Sequence, residues 1–595
     1  MSRGSSGGPF RLGSAASSGV SPAAGPGAGP GAGPGAGPGA GPGAGLTRRT
    51  ALKAAAAGSL GGLLASAGCG DVKSSARQRI GGGFVDDGVG VGHRFRDGEF
   101  GGARAAREER CRVLVIGGGV AGLSAAWRLA RAGVDGISIA ELGGEIGGTS
   151  RGGAMESQAG GALRCPFGAH YLPQPRTEQR AVAAFLKDAG ISIGETQDGR
   201  VAVPDRLLVR DPAERIAALG YFEEGLWMRA GIHPEDDASL DRFESLTEDL
   251  MRVDGSGQRL FDLPLRRSST EARELDSVSA ADWAAANGFE SERMRWYLEY
   301  ATRDDLGASL ADTSAWAMLH YFTARVDLAT KESANYLTWP DGNARLVRGL
   351  EGLIEPSLSR MATGEIAVSV TPGEKSASAV TVNVATGEAT HWTADAIVLA
   401  TPQFVTRRLL REDPAADDRA AFRYSPWLVA NLHLSERPES RGFPYAWDSV
   451  LYGSPSLGYV DASHQLDRAD ELDTVWTWYL PVIDSDERGA REALLARPFE
   501  SWRDAILSDL RMAHSNIDEV VTKIDVWRWG HAMVKPTPGS VWGGMRQRAE
   551  ASMGRLHFAH SDLSGIALFE EANWQGTRAA EGILGQLGIE DPSLL

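Results

Sequence analysis

Arg112-Val-Leu-Val-Ile-Gly-Gly-Gly-Val-Ala-Gly122 runs aliphatic and β-branched residues straight into Gly117-x-Gly119-x-x-Gly122. The run predicts a buried strand, and the residues after it predict a helix. Leu123, Ala126, Trp127 and Ala130 recur at helical spacing, and Gly133 stands where a helix should stop. In this context each glycine has a task. Gly117 turns the chain tightly, Gly119 lets the backbone approach a pyrophosphate, and Gly122 lets the helix pack close to the strand. The N–H groups of Val120 and Ala121 then lie at a positive helix end suited to phosphate. A second strand, Ile137 to Ala140, ends at Glu141, placed to accept from a ribose hydroxyl. The plainer alternative is an ordinary βαβ crossover with glycines in its turn.

The chain has 595 residues, 42% apolar and 23% charged, enough for two or more cores of a globular protein. A formal charge of −16 without a basic stripe excludes nucleic acid as a partner. Cys69, Cys111 and Cys165 have neither metal-ligand spacing nor a disulfide framework, and no metal site is expected. Before Asp71 there is no acidic residue, and residues 25–45 repeat Gly-Pro-Gly-Ala, which cannot bury a core. Residues 1–46 therefore read as a disordered leader.

Thr47-Arg48-Arg49-Thr50-Ala51-Leu52-Lys53 precedes a short Ala/Gly-rich apolar stretch, and residues 47–69 resemble a twin-arginine export signal. That resemblance implies the twin-arginine translocase as a transient partner and a periplasmic or other extracytoplasmic location. Two readings of its end stay open: cleavage after Ala65-Ser66-Ala67, or a lipid anchor at Cys69, the sole membrane attachment foreseen. A low-complexity tail with a chance arginine pair is the bland alternative. Residues 70–107 read as a linker.

After Glu141 come Gly147-Gly148-Thr149-Ser150-Arg151, a second glycine pair. Further on are Ala394-Asp-Ala-Ile-Val-Leu-Ala-Thr401-Pro402, Thr338-Trp-Pro-Asp-Gly-Asn343, Leu556-His-Phe-Ala-His-Ser-Asp562 and Phe569-Glu570-Glu-Ala-Asn-Trp-Gln-Gly576. Together these resemble the flavin monoamine oxidase and phytoene desaturase superfamily. The resemblance implies FAD and an α/β fold: a Rossmann-like FAD-binding domain from three discontinuous segments, 108–185, 336–415 and 545–595. Insertions 186–335 and 416–544 would form an α+β substrate domain. It further implies FAD contacts at Gly147 to Arg151 and at Thr401, with Asp562 on the ribityl side and the backbone of Phe569 and Glu570 at the flavin ring. Within the insertions, Ser279 should cap a helix holding Trp283 that stops at Asn287-Gly288, and Ser314 to Arg325 forms a dense apolar run. Trp427 to Leu434 and Thr474 to Val482 read as strands.

The resemblance also has gaps. The lysine that such oxidases place near flavin N5 is replaced at or near Asn431. The two framing aromatic positions correspond to Ala532 and Leu568, and the usual arginine to Thr149, with Arg151 as a stand-in. His531 aligns with a cysteine that relatives use for covalent flavin attachment. It is expected to line the substrate side of the flavin, to bond the flavin, or to serve as a structural imidazole. His170 and Tyr171 are placed to face N5, with a packed core tyrosine as the alternative. His320 beside Trp316 reads as core packing, and Asp304-Asp305 as a pair that could bind a cation or, more plainly, as an exposed turn.

The resulting expectation is an exported FAD-dependent oxidoreductase that moves hydride from an amine or apolar small molecule to flavin N5, with oxygen or a membrane quinone as acceptor. A redox-neutral flavin isomerase or mutase, and a non-catalytic FAD-binding protein, are the alternatives.

Overall fold

In the computed structural model, which describes residues 80–102, 105–466 and 473–595, Ala105–Ile116 is an inner strand of a seven-stranded sheet. It pairs in parallel with Ile137–Glu141 on one side and Ala389–Leu399 on the other. Leu358–Thr363 extends the first side in parallel. Ala377–Asn383 and Glu365–Thr371 continue the other side antiparallel. Ala377–Asn383 stops pairing at Ala394, and Leu556–Phe558 takes up the freed edge at Ile397 to Leu399.

Alternation along the inner strands feeds two cores, as a sheet covered on both faces requires. Val113, Val115, Ala396 and Val398 point into one cluster; Leu114, Ile116, Ile397 and Leu399 point into the other. The first cluster is closed by three helices: Val120–Arg131, Ala344–Ile354 and the C-terminal Phe569–Leu587. The first and last of these pack so closely that a Cβ on Gly576 would lie 2.2 Å from the Ala121 carbonyl oxygen.

The second sheet has eight strands: Gly81–Phe84, Val521–Val534, Tyr424–Leu434, Thr474–Pro481, Tyr459–Asp461, Asp448–Leu451, Glu214–Ala218 and Tyr221–Glu224. Leu494, Trp502, Ile506, Leu507 and Leu510, from helices Glu487–Ala496 and Phe499–Leu510, cover one face. Helices Pro234–Leu250, Ala280–Ala286, Glu292–Leu306 and Ala315–Thr323 supply the rest of this half. The architecture is thus the expected one: a Rossmann-like unit carrying an α+β unit. Ser279 caps its helix by accepting from the Asp282 N–H, and Trp316 stacks on His320 with ring centroids 5.1 Å apart in a buried setting.

Two expectations are corrected. Residues 70–107 are not simply a linker where they are described. Gly81–Phe84 pairs in parallel with Lys523 to Val526, Val89–Arg96 is a helix, and the first inner strand already begins at Ala105. The glycines that suggested a tether serve close pairing: Gly82 has φ +115°, and a Cβ there would strike the Ile524 carbonyl. Phe84 packs edge-on against Phe499, and Asp86 pairs with Arg528 at 2.6 Å. Asp304-Asp305 is not an exposed turn either. It lies in helix Glu292–Leu306, and Asp305, 4% exposed, pairs with Arg325 at 2.8 Å.

The leader, the arginine pair and Cys69 lie outside the described residues. Among the described residues no helix is long and apolar enough to cross a membrane, and no group of acidic, His or Cys side chains could hold a metal ion.

Candidate active site

The two glycine loops lie against each other. Gly117, at φ +106°, turns the chain where a Cβ would come 2.5 Å from the Ala400 carbonyl oxygen, and a Cβ on Gly122 would come 2.0 Å from that of Gly117. Gly147 donates its N–H to the Gly118 carbonyl at 2.7 Å, and a Cβ on Gly148 would sit 3.3 Å from the Gly119 Cα. Helix Val120–Arg131 starts at Gly119 with no side chain capping it, so its first N–H groups remain available. Glu141 accepts from the N–H groups of Gly118 at 2.6 Å and Gly143 at 2.7 Å, which fixes the carboxylate at the strand end. Arg151 pairs with Asp87 at 2.9 Å and lies over the Trp527 ring at 4.7 Å. Uncapped helix N–H groups, a cradle that any Cβ would fill and a nearby guanidinium fit a dinucleotide pyrophosphate.

Asp562 is 2% exposed. Burial alone would make the carboxyl a weaker acid, but His560 at 3.0 Å, the Tyr424 hydroxyl and the Gln403 N–H together hold it below the usual carboxylate range. Thr401 follows the strand end and shares a hydrogen bond with Thr406. Ser150 is buried beside the second glycine pair.

A cavity of about 150 Å³ opens from this cradle. Thr149 lines it from the loop of the second glycine pair, and Phe569 and Glu570 from the start of the C-terminal helix, together with His170, Tyr171, Ala532 and Leu568. The His170 loop is braced by the Thr338–Asn343 loop: Thr338 donates to the His170 carbonyl and Asn343 to that of Tyr171. His170 is surrounded by the rings of Tyr171, Trp447 and Tyr479 at 5.0, 5.4 and 4.9 Å. Burial depresses its imidazole to about 3 and pushes the Tyr171 phenol far up, so both are neutral at physiological pH.

Two expected residues lie elsewhere. His531 does not line the cavity; its ring stacks on Phe404 at 4.0 Å, half-buried, and desolvation there depresses it to about 3. Asn431 is a 1% exposed cross-brace, donating to the Pro166 carbonyl at 2.9 Å and accepting from Thr477 at 2.8 Å. Val429, on the same strand, reaches the cavity instead, and no lysine lines it. Asp304 and Asp305 also line it, as do Arg325, Asp448 and Tyr479, which the sequence did not single out.

Residues 120–584 match the family described as flavin containing amine oxidoreductase. The chain is 23% identical over 293 residues to oxidoreductase PigB of Serratia sp. (strain ATCC 39006), a match covering 46% of this chain and 41% of that relative. Among solved structures it resembles putrescine oxidase bound to putrescine (15% identity, TM-score 0.59, 80% of this chain and 100% of that one). It also resembles cyclohexylamine oxidase from Brevibacterium oxydans IH-35A (16%, TM-score 0.55, 80% and 99%). The glycine cradle, the cavity at its mouth and the family match over most of the chain agree: this protein belongs to the flavin-containing amine oxidoreductases and is an FAD-dependent oxidoreductase.

Proposed function

We propose that the enzyme oxidises an amine, holding the C–H bond that breaks between the flavin end of the cavity and the aromatic wall at His170. The carrying observation is that one cavity joins FAD-cradle residues, Thr149 and Phe569, to a dry wall of His170, Tyr171 and Tyr479. FAD supplies a two-electron acceptor whose ring takes the hydride equivalent. The chain's own residues do the rest. His170 stays uncharged, so it does not repel an amine, and burial in the aromatic wall favours the neutral nitrogen needed for hydride loss. Tyr479 donates to the Gly168 carbonyl at 3.0 Å and fixes the loop that presents His170. Helix Phe569–Leu587 points its positive end at the cavity, where negative charge on a reduced ring is stabilised. The printed names of two structural relatives, putrescine oxidase and cyclohexylamine oxidase, support an amine as substrate.

The twin-arginine pattern supports export of the folded, FAD-loaded protein, with oxygen or a membrane quinone as electron acceptor. Steady-state screening of the holoenzyme against amines, with peroxide and dye reduction read in parallel, tests this reading. Turnover of at least one amine class is expected; no electron output with any amine, amino acids included, overturns it.

A further inference from the structure

We propose that residues 81–96 form a retention clasp for FAD: Asp86 anchors the segment on the eight-stranded sheet, and Asp87 holds the second glycine loop closed, so that the cofactor leaves only when the segment lets go. Asp87 is then a positioning residue for the cofactor, acting through Gly144 and Arg151. Neither role depends on which substrate is oxidised.

The segment crosses from one sheet to the other. Gly81–Phe84 pairs in parallel with Lys523 to Val526 at the edge of the eight-stranded sheet, and the Val85 N–H extends the ladder to the Val526 carbonyl at 3.0 Å. Asp86, with its side chain 6% exposed, accepts from the Arg528 backbone N–H at 3.1 Å and from its guanidinium at 2.6 and 2.9 Å. That guanidinium also lies over the Phe84 ring at 3.7 Å. Beyond Gly88, at φ +74°, the chain enters helix Val89–Arg96. Val91 and Phe95 of this helix pack, like Leu142, against Ile366, Val382 and Ala389 of the Rossmann-like unit.

Leu142 opens the loop that joins Glu141 to the second glycine pair. With glycine at 143, 144, 147 and 148, that loop has little conformational preference of its own. Asp87 ties it near its two ends, accepting from the Gly144 N–H at 3.1 Å and from Arg151 Nη1 at 2.9 Å. Arg151 is itself packed into the loop: a Cβ on Gly143 would come 2.9 Å from its Nη1, and one on Gly147 3.0 Å from its Cγ. Its guanidinium lies over Trp527 and Trp529, on the strand that receives Gly81–Phe84. Adjacent aspartates thus grip two different units, one the substrate sheet and one the cofactor loop. Moving that loop aside to release a dinucleotide breaks both Asp87 contacts, each of them charge-assisted. By linkage, whatever the segment adds to FAD binding, bound FAD adds to the hold of the segment.

The test follows FAD release from the loaded, full-length protein as the rise of free-flavin fluorescence after dilution. Asp87→Asn should release FAD about 10- to 100-fold faster, the effect of one or two charged hydrogen bonds. Asp86→Asn should also speed release, and the double variant should match Asp87→Asn within about threefold, because both substitutions open one clasp. Asp509→Asn, which unties Ser454, Ser456 and Trp478, controls for general loosening and should stay within about threefold of the unaltered protein. Unchanged release in Asp86→Asn or Asp87→Asn, or equal acceleration in Asp509→Asn, overturns the clasp. Hydrogen exchange on the unaltered protein decides without any variant. The N–H groups of 81–85 and 144 should slow about tenfold or more when FAD binds, and those of 428–432 by less than about threefold. Equal slowing of both groups, or none, overturns the proposal.

Discussion

The FAD cradle and the cavity beside it treat carboxylates in opposite ways. Around the cradle, Glu141 and Asp562 are saturated with donors, and Asp562 is held below the ordinary range despite complete burial. In the cavity, Asp304 and Glu570 take no donor from another described residue and are raised to about 7, mainly by burial. A site for a resident dinucleotide is finished by the protein itself, from backbone N–H groups and absent side chains. A site for a transient substrate is left electrostatically incomplete, at a cost in stability that the ligand offsets.

The largest expected effect attacks the finished half. Gly117→Val places branched carbons against the Ala400 carbonyl at a backbone angle valine avoids, and the purified protein should retain less than about a tenth of the normal FAD. Flavin absorbance per protein measures this, and full loading would contradict it.

Next come paired substitutions of opposite sign. Asp562→Asn removes a charged acceptor of the Tyr424 hydroxyl and the Gln403 N–H, and should cost about 1–3 kcal/mol at pH 7. Because the folded Asp562 carboxyl is depressed, its contribution is present above the unfolded value near ~4 and fades as pH falls through the folded one. Asp304 runs the other way. Its raised carboxyl binds a proton in the folded state between about 4 and about 7, so its favourable contribution is full at low pH and is lost as pH rises through about 7. Asp304→Asn should therefore raise stability above pH 7, by about 1–3 kcal/mol, and give little below pH 4. Thermal denaturation across pH decides; parallel behaviour of the two variants would erase the contrast.

The smallest effect separates two histidines. His170→Ala opens the cavity wall and should lower amine kcat/KM by about 10-fold or more, whereas His531→Phe, which keeps the stack on Phe404, should change it by less than about threefold. Comparable losses would return His531 to the reacting centre.

What was legible in the sequence divides along the same line. The cradle arises within short local stretches, where strand, glycine spacing and helix must follow one another, so Gly117, Gly122, Glu141 and the Thr149 loop could be read directly. Helix and strand patterns in the insertions, such as the Ser279 cap, were legible for the same reason. The cavity brings together Asp304 and Asp448, which are distant in sequence, and no local pattern announces that meeting. Asp304-Asp305 looked like surface because charge usually is. Asn431 and His531 were chosen by position against a family pattern, and strand twist decides which side chains reach the cavity: Val429 and Met533 do, those two do not. The Gly81–Phe84 strand was hidden by composition, since glycines chosen for close pairing look the same as glycines in a tether.

The most direct test is anaerobic mixing of FAD-loaded enzyme with an amine that it turns over while the visible flavin spectrum is followed. The expected result is loss of the oxidised bands at a rate that saturates with amine concentration. An unchanged spectrum, in enzyme that dithionite still bleaches, would contradict it.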